Sequence, residues 1–221
     1  LAIEEPGYDG TRKIFENHHY DILPIPVGED GITVEKLSSV KADLLFLTPS
    51  HQFPTGAILP IGKRIQVLNW AAKQGCYIIE DDYVNELRYQ TAPLPSLYAL
   101  DSTHCVIYAG TFAKSLAPDL RVAYLVLPEA LLSTYQAYYW RYNSQVSALI
   151  QYALADFISS GEYAKHIHRL RTYYRKKQQA LCQAVETVFG SKASIYGKGA
   201  GLHILLQVQT GLSSKEMVQS A

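Results

Sequence analysis

Short apolar segments that alternate with a helical segment constrain the fold of this chain more than any other feature. Residues 44–48 and 77–79 have the length and composition of buried strands, and apolar residues recur at helical spacing between them until Gly75. A strand, a helix and a second strand make a βαβ unit, in which the strands run parallel. Because both segments are apolar throughout rather than alternating, we predict a largely parallel sheet with helices on both faces.

Two more apolar segments, residues 106–109 and 122–127, extend the predicted sheet as short buried strands. Lys114 lies in the turn between them, among small residues. A single lysine in a turn is usually a solvated surface residue. The ends of parallel strands are also where ligands bind in such sheets, so Lys114 is a candidate to contact a ligand if its neighbours support that role.

The composition argues against several classes of protein. The chain has 221 residues, 48% of them hydrophobic, and a formal net charge of zero, so it can form one large or two small domains but has no domain-wide positive field for nucleic acid. Its three cysteines lack CxxC spacing, which is typical of reduced thiols in a cytoplasmic protein. The sequence has no signal-peptide pattern and no apolar segment of the roughly 18–20 residues that span a bilayer, so we expect no membrane association.

Three polar clusters follow predicted strands: the loop 48–56, the acidic turn 80–83 and the turn that holds Lys114. Asp81 and Asp82, at the end of a buried strand, are candidates for an acid–base pair or for metal ligands. Neither interpretation has much support, because adjacent residues point in different directions at a strand end and no histidine or cysteine follows at ligand spacing.

A different chemistry fits these clusters better. A lysine amine forms a Schiff base with an aldehyde, an aspartate pairs with a protonated pyridine nitrogen, and a tyrosine hydroxyl bonds a phenolic oxygen. Lys114, Asp81 and Tyr83 match these needs of pyridoxal 5'-phosphate. Thr111 and Arg121 flank the lysine and are candidate donors to the cofactor's phosphate.

Three segments carry a resemblance to a known family. TPSHQFPTG at 48–56, IIEDDYVNELRY at 78–89 and GTFAKSLAPDLRVAYLVL at 110–127 resemble the fold type I, class I/II aminotransferases that depend on pyridoxal phosphate. They are more similar still to the aminotransferase-like domain of MocR-type regulators, a branch of the GntR transcription factors. The resemblance extends over nearly the whole chain, through EEPGYDG at 4–10, SGEYAKHIHRLRTYY at 160–174 and GAGLH at 199–203.

The resemblance implies a role for each residue of the cluster. Lys114 would be the catalytic lysine that forms the Schiff base, Asp81 the partner of the pyridine nitrogen, and Tyr83 the partner of the phenolic oxygen. Thr111 and Arg121 would bind the phosphate, and the permanent charge of an arginine suits a phosphate dianion.

The resemblance also concerns four further residues around the implied cofactor, two of which depart from the general aminotransferase pattern. Tyr8 would stack on the ring, with packing of a turn aromatic as the alternative. His51 lies in the loop that faces the same site, where it would contact the cofactor or the substrate. Phe53 stands where many aminotransferases have an asparagine, as in the MocR-like branch. Ala113 lacks the hydroxyl that contacts phosphate in some relatives.

The second half of the chain is predicted to be mostly helical. We expect an aromatic helix from Leu131 whose rings belong to a core or a subunit interface, and a second helix at 147–158. Ser159 and Glu162 predict a capping box for a long helix that runs to Phe189. Strands around Ile195 and over 202–208 indicate a second, smaller α/β unit.

The implied fold is a three-layer α/β sandwich with a mainly parallel sheet, the fold type I arrangement. We expect residues 1–130 to be part of the large domain that binds pyridoxal phosphate, 131–160 to be connecting helices, and 161–221 to be part of a small C-terminal α/β domain. Both ends of the chain look cut, so we expect a fragment of a longer protein.

The function implied is that of the effector-sensing domain of a MocR/GntR-type transcription regulator, with an amino compound as its effector. DNA would be bound only by a separate N-terminal domain, and the full-length protein would be a cytoplasmic homodimer. The alternative is a free-standing aminotransferase that acts on an α-amino acid, with Lys114 moving the proton. In either case we expect little activity from this chain alone.

Overall fold

A seven-stranded sheet is the centre of the fold. The computed structural model describes residues 1–84, 86–89, 94–142 and 144–220. In chain order the strands of the sheet are β1 (Ala2–Glu5), β2 (Leu23–Gly28), β3 (Gly31–Ile32), β4 (Leu44–Leu47), β5 (Tyr77–Asp81), β6 (Val106–Thr111) and β7 (Ala123–Val126). Their order across the sheet is β3-β2-β1-β4-β5-β6-β7, with β3 and β7 antiparallel to their neighbours and the rest parallel. The predicted mainly parallel α/β fold is confirmed.

Helices connect and follow these strands. They are α1 (Asp9–Asn17), α2 (Val34–Leu37), α3 (Ile61–Gln74), α4 (Leu97–Leu100), α5 (Glu129–Tyr139), α6 (Ala148–Ser159), α7 (Glu162–Phe189) and α8 (Ser214–Ser220). A second, antiparallel sheet pairs β8 (Ala193–Tyr196) with β9 (Leu205–Val208). No helix of the described residues combines the length and apolar character needed to cross a membrane.

One face of the large sheet carries most of the core. Helix α3 is terminated by Gly75, the residue after Gln74, whose φ of 67° lies in the left-handed region that glycine adopts without steric cost. The helix buries Val67, Leu68 and Ala71 against this face, together with side chains of the strands and of α2 and α4. The fully buried strand residues of this cluster include Ala2, Ile25, Leu45, Leu47, Ile78 and Val106.

The opposite face is covered far less. Its buried cluster consists of Leu1, Ile3 and Phe46, with Phe15 of α1 packed against it. Helices therefore lie on both faces of the sheet, as predicted, but they cover the second face less completely. Over β5, β6 and β7 the second face is an open cavity, which is described below as part of the candidate site.

Strand β7 corrects the predicted buried strand at residues 122–127. It is shorter, and Tyr124 and Leu125 are 37% and 58% exposed. The reason is its position, because an edge strand pairs on one side only, and β7 lies beyond the region that the helices cover.

The aromatic helix α5 does not belong to the core of this chain. Tyr138, Tyr139, Trp140 and Tyr142, on the helix and just after it, are between 55% and 75% exposed. The core alternative for these rings is therefore wrong within this chain, and a subunit interface stays a prediction.

The long helix α7 ends at Phe189 as predicted, but its predicted capping box is wrong. Gly161, with a φ of 77°, precedes the helix and no side chain caps it. The Ser159 hydroxyl instead donates to the carbonyl of Asp156 at 3.2 Å, since Ser159 is still part of α6. The domain boundaries expected near residues 130 and 160 stay a prediction.

Candidate functional site

Alternation along β5 separates its two carboxylates. Successive side chains of a strand point to opposite faces, so Glu80 and Asp81 diverge. The buried Glu80 carboxylate accepts hydrogen bonds from the backbone N–H groups of Leu97 and Tyr98, both at 2.9 Å, and lies 3.7 Å from Arg64. Glu80 therefore serves the core beneath the sheet.

Asp82 also faces the protein interior. The residue is 4% exposed, and its carboxylate accepts a hydrogen bond from the Tyr108 hydroxyl at 3.0 Å. The arrangement argues against Asp81 and Asp82 acting as a pair on one substrate, because their side chains serve different surroundings.

Asp81 lines the open cavity on the second face of the sheet. The cavity measures about 670 Å³, and Asp81 and Thr111 both line it. The β5–β6 register pairs Asp81 with Ala109, which places Thr111 one pleat further along on the same face. Leu125 of β7, which pairs with Ala109, and Tyr135 of α5 also line the cavity. The structure thus brings together two residues that lie 30 positions apart in the sequence.

The Asp81 carboxylate has no hydrogen-bond donor and no cation as partner among the described residues, although it is partly buried. Burial raises its pKa to about 6, and repulsion from Asp82 adds to the increase. A cationic partner would stabilise a carboxylate in this state, because that partner offsets the loss of hydration. The cavity is therefore chemically suited to a cationic group beside Asp81.

Tyr83 and His51 are joined directly. The Tyr83 hydroxyl donates to the backbone carbonyl of His51 at 3.0 Å and lies 3.1 Å from the Nδ1 atom of the same residue. Burial raises the pKa of Tyr83, and the nearby Asp81 and Glu4 raise it further. The hydroxyl therefore stays protonated and remains a hydrogen-bond donor.

The His51 ring lies deep in the loop that follows β4. The residue is 1% exposed, and burial lowers its pKa to about 4, with a further contribution from the neighbouring His203. The two imidazole centroids are 4.7 Å apart. At neutral pH the His51 ring is uncharged, and it can act as a donor at one nitrogen and an acceptor at the other.

The turn between β6 and β7 holds the other candidate residues. Lys114 and Arg121 are exposed, and neither forms a hydrogen bond or an ion pair with the described residues. Arg121 adopts a φ of 50° at the end of a short 3₁₀ turn. The Thr111 hydroxyl donates to the Val122 carbonyl at 3.2 Å and accepts from the N–H of Ala113 at 3.1 Å, so it is already engaged within the turn.

Lys114 and Tyr8 approach the same edge of the sheet from different elements. Burial lowers the pKa of His203, and the Lys114 amine contributes to that decrease, so the lysine lies near the histidine pair. Tyr8, which follows β1, is 55% exposed, and its ring meets Phe53 edge-on at 5.7 Å.

Two residues of the candidate site were not assigned from the sequence. One is His203, whose Nε2 is buried and makes no hydrogen bond in the described part of the chain. The other is Glu4, whose carboxylate accepts from the Thr48 N–H and hydroxyl at 3.0 and 2.7 Å, while burial raises its pKa to about 7. The GAGLH and EEPGY segments contain these residues, so the signal was present, but it carried no information on side-chain contacts.

Comparison with known proteins connects this geometry to a family. Residues 1–216 match the family described as aminotransferase class I and II. The chain belongs to this family. The match spans both the strand-end residues and the smaller second sheet, so it covers every candidate position described above.

Two curated relatives are regulators. The chain is 45% identical to the uncharacterized HTH-type transcriptional regulator YdeL of Bacillus subtilis over 100% of its own length and 48% of YdeL. It is 32% identical to the probable rhizopine catabolism regulatory protein MocR of Rhizobium meliloti, over 99% of this chain and 44% of MocR. The chain thus spans about half the length of these relatives, and its predicted resemblance to MocR-type regulators is confirmed.

A solved structure with the same fold is an enzyme. LysN, the alpha-aminoadipate aminotransferase of Thermus thermophilus, superimposes with a TM-score of 0.85 at 30% sequence identity. The similarity covers 99% of this chain and 58% of LysN, which was crystallised with N-(5'-phosphopyridoxyl)-L-leucine. The chain therefore has the fold type I arrangement expected from its sequence.

Proposed function

We propose that this chain is the pyridoxal phosphate-binding, effector-sensing part of an HTH-type transcription regulator. The observation that carries the proposal is the Asp81 carboxylate, which lines an open cavity without a protein cation among the described residues. The lysine turn begins at the end of the neighbouring strand β6. A carboxylate without a cation on one strand and a lysine in the turn after the neighbouring strand suit a protonated pyridine that also carries an aldehyde.

The described residues fit such a cofactor. When bound, pyridoxal phosphate supplies an aldehyde that bonds covalently to amines and a ring that withdraws electrons. Lys114 would hold it covalently through Nζ, and Asp81 would keep the proton on the ring nitrogen. Tyr83 would donate its hydroxyl proton to the phenolic oxygen.

Three more residues would complete the binding shell. Arg121 would bind the phosphate, and an exposed guanidinium without an ion-pair partner in the described chain is available for this. Thr111 would need to exchange its present acceptor, the Val122 carbonyl, for a phosphate oxygen. Tyr8 would cover one face of the ring, for which its exposure leaves it free.

The effector would be an amino compound, because the aldehyde held at Lys114 is a group with which amines react. DNA would be bound by a separate helix-turn-helix domain, as the name of YdeL suggests for that protein. The full-length protein would then work in the cytoplasm as a homodimer. The exposed aromatic side chains of α5 are the surface we assign to the dimer contact.

Covalent trapping tests the cofactor assignment. The full-length protein would be incubated with pyridoxal phosphate, reduced with borohydride, digested and analysed by mass spectrometry. We expect the phosphopyridoxyl group on Lys114, and none after Lys114→Ala. Lys63→Ala is the matched control. Lys63 lies on α3 and is ion-paired with Asp30 at 2.6 Å, so its replacement should leave the labelling unchanged. Equal labelling of wild type and Lys114→Ala would refute the assignment.

The second candidate is a free-standing aminotransferase, which the 30% identity to LysN favours. The two functions are separated by adding a panel of amino acids and amines to the full-length, cofactor-loaded protein. A regulator should change its affinity for its own upstream DNA without releasing keto acid. Keto-acid release with multiple turnovers, and no DNA binding, would favour the enzyme.

A further inference from the structure

The His51 imidazole lies between the Tyr83 hydroxyl and the segment 197–203, which leads from β8 to β9. The residue is 1% exposed, so the ring has almost no surface left for a ligand. Any effect of His51 on the cavity must therefore pass through a neighbour, and Tyr83 is the neighbour with a direct polar contact.

The number of protons available decides how the two side chains interact. The Tyr83 hydroxyl has one proton, which it donates to the His51 carbonyl at 3.0 Å. The same oxygen lies 3.1 Å from His51 Nδ1. With the tyrosine proton already used, the second contact is a hydrogen bond only if Nδ1 carries the proton of the neutral ring. The ring stays neutral because burial and His203 lower its pKa to about 4.

The second sheet's segment holds the ring in place. A Cβ atom on Gly201 would lie 2.6 Å from His51 Cε1, and Gly201 has a φ of 77°. A Cβ atom on Gly197 would lie 3.7 Å from His51 Nε2. The backbone groups of Gly197 and Ala200 raise the pKa of the ring, but Nε2 makes no hydrogen bond with the described residues, whereas Nδ1 has Tyr83 as a partner. The position of the ring thus depends on Gly201, because a side chain there would collide with it, whereas the contact at Gly197 is an ordinary one.

We propose that His51 is a positioning residue whose Nδ1–H donates to the Tyr83 hydroxyl oxygen and so commits Tyr83 to act as a donor. The inference rests on the proposed function, in which Tyr83 donates to the phenolic oxygen of the cofactor. The Nδ1–H group occupies one lone pair of the Tyr83 oxygen. When the cofactor binds, Tyr83 would give up its hydrogen bond to the His51 carbonyl and donate the same proton to the phenolic oxygen. The pair therefore selects an ionised phenolic oxygen over a protonated one.

Three substitutions distinguish this role from simple packing. His51→Asn keeps an amide nitrogen near the position of Nδ1, His51→Gln moves it toward the position of Nε2, and His51→Phe fills the space without a hydrogen bond. The measured quantity is the dissociation constant of pyridoxal phosphate from the full-length protein, obtained by equilibrium dialysis. We expect about tenfold weaker binding for the Gln and Phe variants and near wild-type binding for Asn, the value of one hydrogen bond.

Two results would overturn the proposal: wild-type affinity in His51→Phe, or an Asn variant no tighter than Phe. Urea unfolding of each variant identifies those that fail to fold. Nitrogen-15 NMR of the wild-type protein without cofactor supplies an independent test, because it reads the histidine tautomer directly. We expect the proton on Nδ1, and a proton on Nε2 would contradict the proposal. If wild-type protein binds no pyridoxal phosphate at all, the proposed function fails, whereas the tautomer result still stands on its own.

Discussion

The two sides of the candidate site differ sharply in how they are held. On the β4–β5 side, Ser50, His51 and Gln52 are at most 2% exposed, and hydrogen bonds join them to distant parts of the chain. On the β6–β7 side, Lys114 and Arg121 are exposed and have no hydrogen-bond partner among the described residues. One side is ordered before any ligand arrives, and the other is free to move toward one.

This difference matches the tasks proposed for the two sides. A group that must orient one proton gains from a rigid surrounding, because geometry determines the strength of a hydrogen bond. A lysine that must reach and bond a ligand gains from a side chain without competing partners. The comparison also separates residues that stabilise the fold from residues that serve function alone, and substitutions can test that separation.

Removing Arg64 should cause the largest loss of stability, because it supports the ordered side from below. Its guanidinium donates to the carbonyls of Pro49 and Leu59, both at 2.9 Å, and lies near the buried Glu80. We expect Arg64→Leu to lower the free energy of unfolding by about 3–5 kcal/mol, since it leaves a buried carboxylate without its cation.

Urea unfolding followed by circular dichroism measures this loss. Lys63→Ala is the control from the same helix, because its ion pair with Asp30 is at the surface and should contribute at most about 1 kcal/mol. A loss below that of the control would show that the ordered side does not depend on Arg64.

Asp81→Asn should have the next largest effect, with the opposite sign. The pKa of Asp81 is about 6 in the folded chain against the ordinary 3.8, so the folded state binds its proton more tightly than the unfolded state. The ionised carboxylate therefore costs stability above the folded pKa, and the cost disappears as the pH falls through that range toward the unfolded value.

We expect Asp81→Asn to raise the free energy of unfolding by about 1–3 kcal/mol near pH 8, and to have little effect below about pH 4. The same variant should bind pyridoxal phosphate far more weakly. Asp30→Asn is the contrasting control, because the ion pair with Lys63 lowers the pKa of Asp30, and its loss should not stabilise the chain. An Asp81→Asn protein that is less stable than wild type near pH 8 would contradict the unpaired state of Asp81.

Arg121→Gly should produce the smallest change. Arg121 adopts a φ of 50°, a region that glycine enters without the steric cost of a Cβ atom. We expect a gain of up to about 1 kcal/mol for Arg121→Gly and no gain for Arg121→Ala, since alanine retains the Cβ. Differential scanning calorimetry of both variants measures this. Equal stabilities of the Gly and Ala variants would mean that the backbone at this turn is unstrained. Both variants should also lose affinity for a phosphate-bearing ligand.

Much of the fold follows from local patterns. Helix α3 and strand β5 lie where periodicity and Gly75 predict them, because apolar spacing and a left-handed helix end depend on nearby residues. The exposure of β7 could not be predicted in this way. An apolar segment looks the same whether a layer covers it or not, and only the order of strands places β7 at an edge.

In the candidate site too, some features follow from local sequence and others only from long-range packing. The residue types near the strand ends, Asp81, Tyr83 and Lys114, are recognisable in the sequence, because their chemistry is intrinsic to each side chain. Sequence patterns are thus sufficient to predict the family, the mainly parallel sheet and the set of reactive groups. Long-range packing leaves Asp81 without a protein cation in the described chain and places His51 between Tyr83 and the segment before β9. These are properties of residues far apart in the sequence, and packing brings them within hydrogen-bond distance.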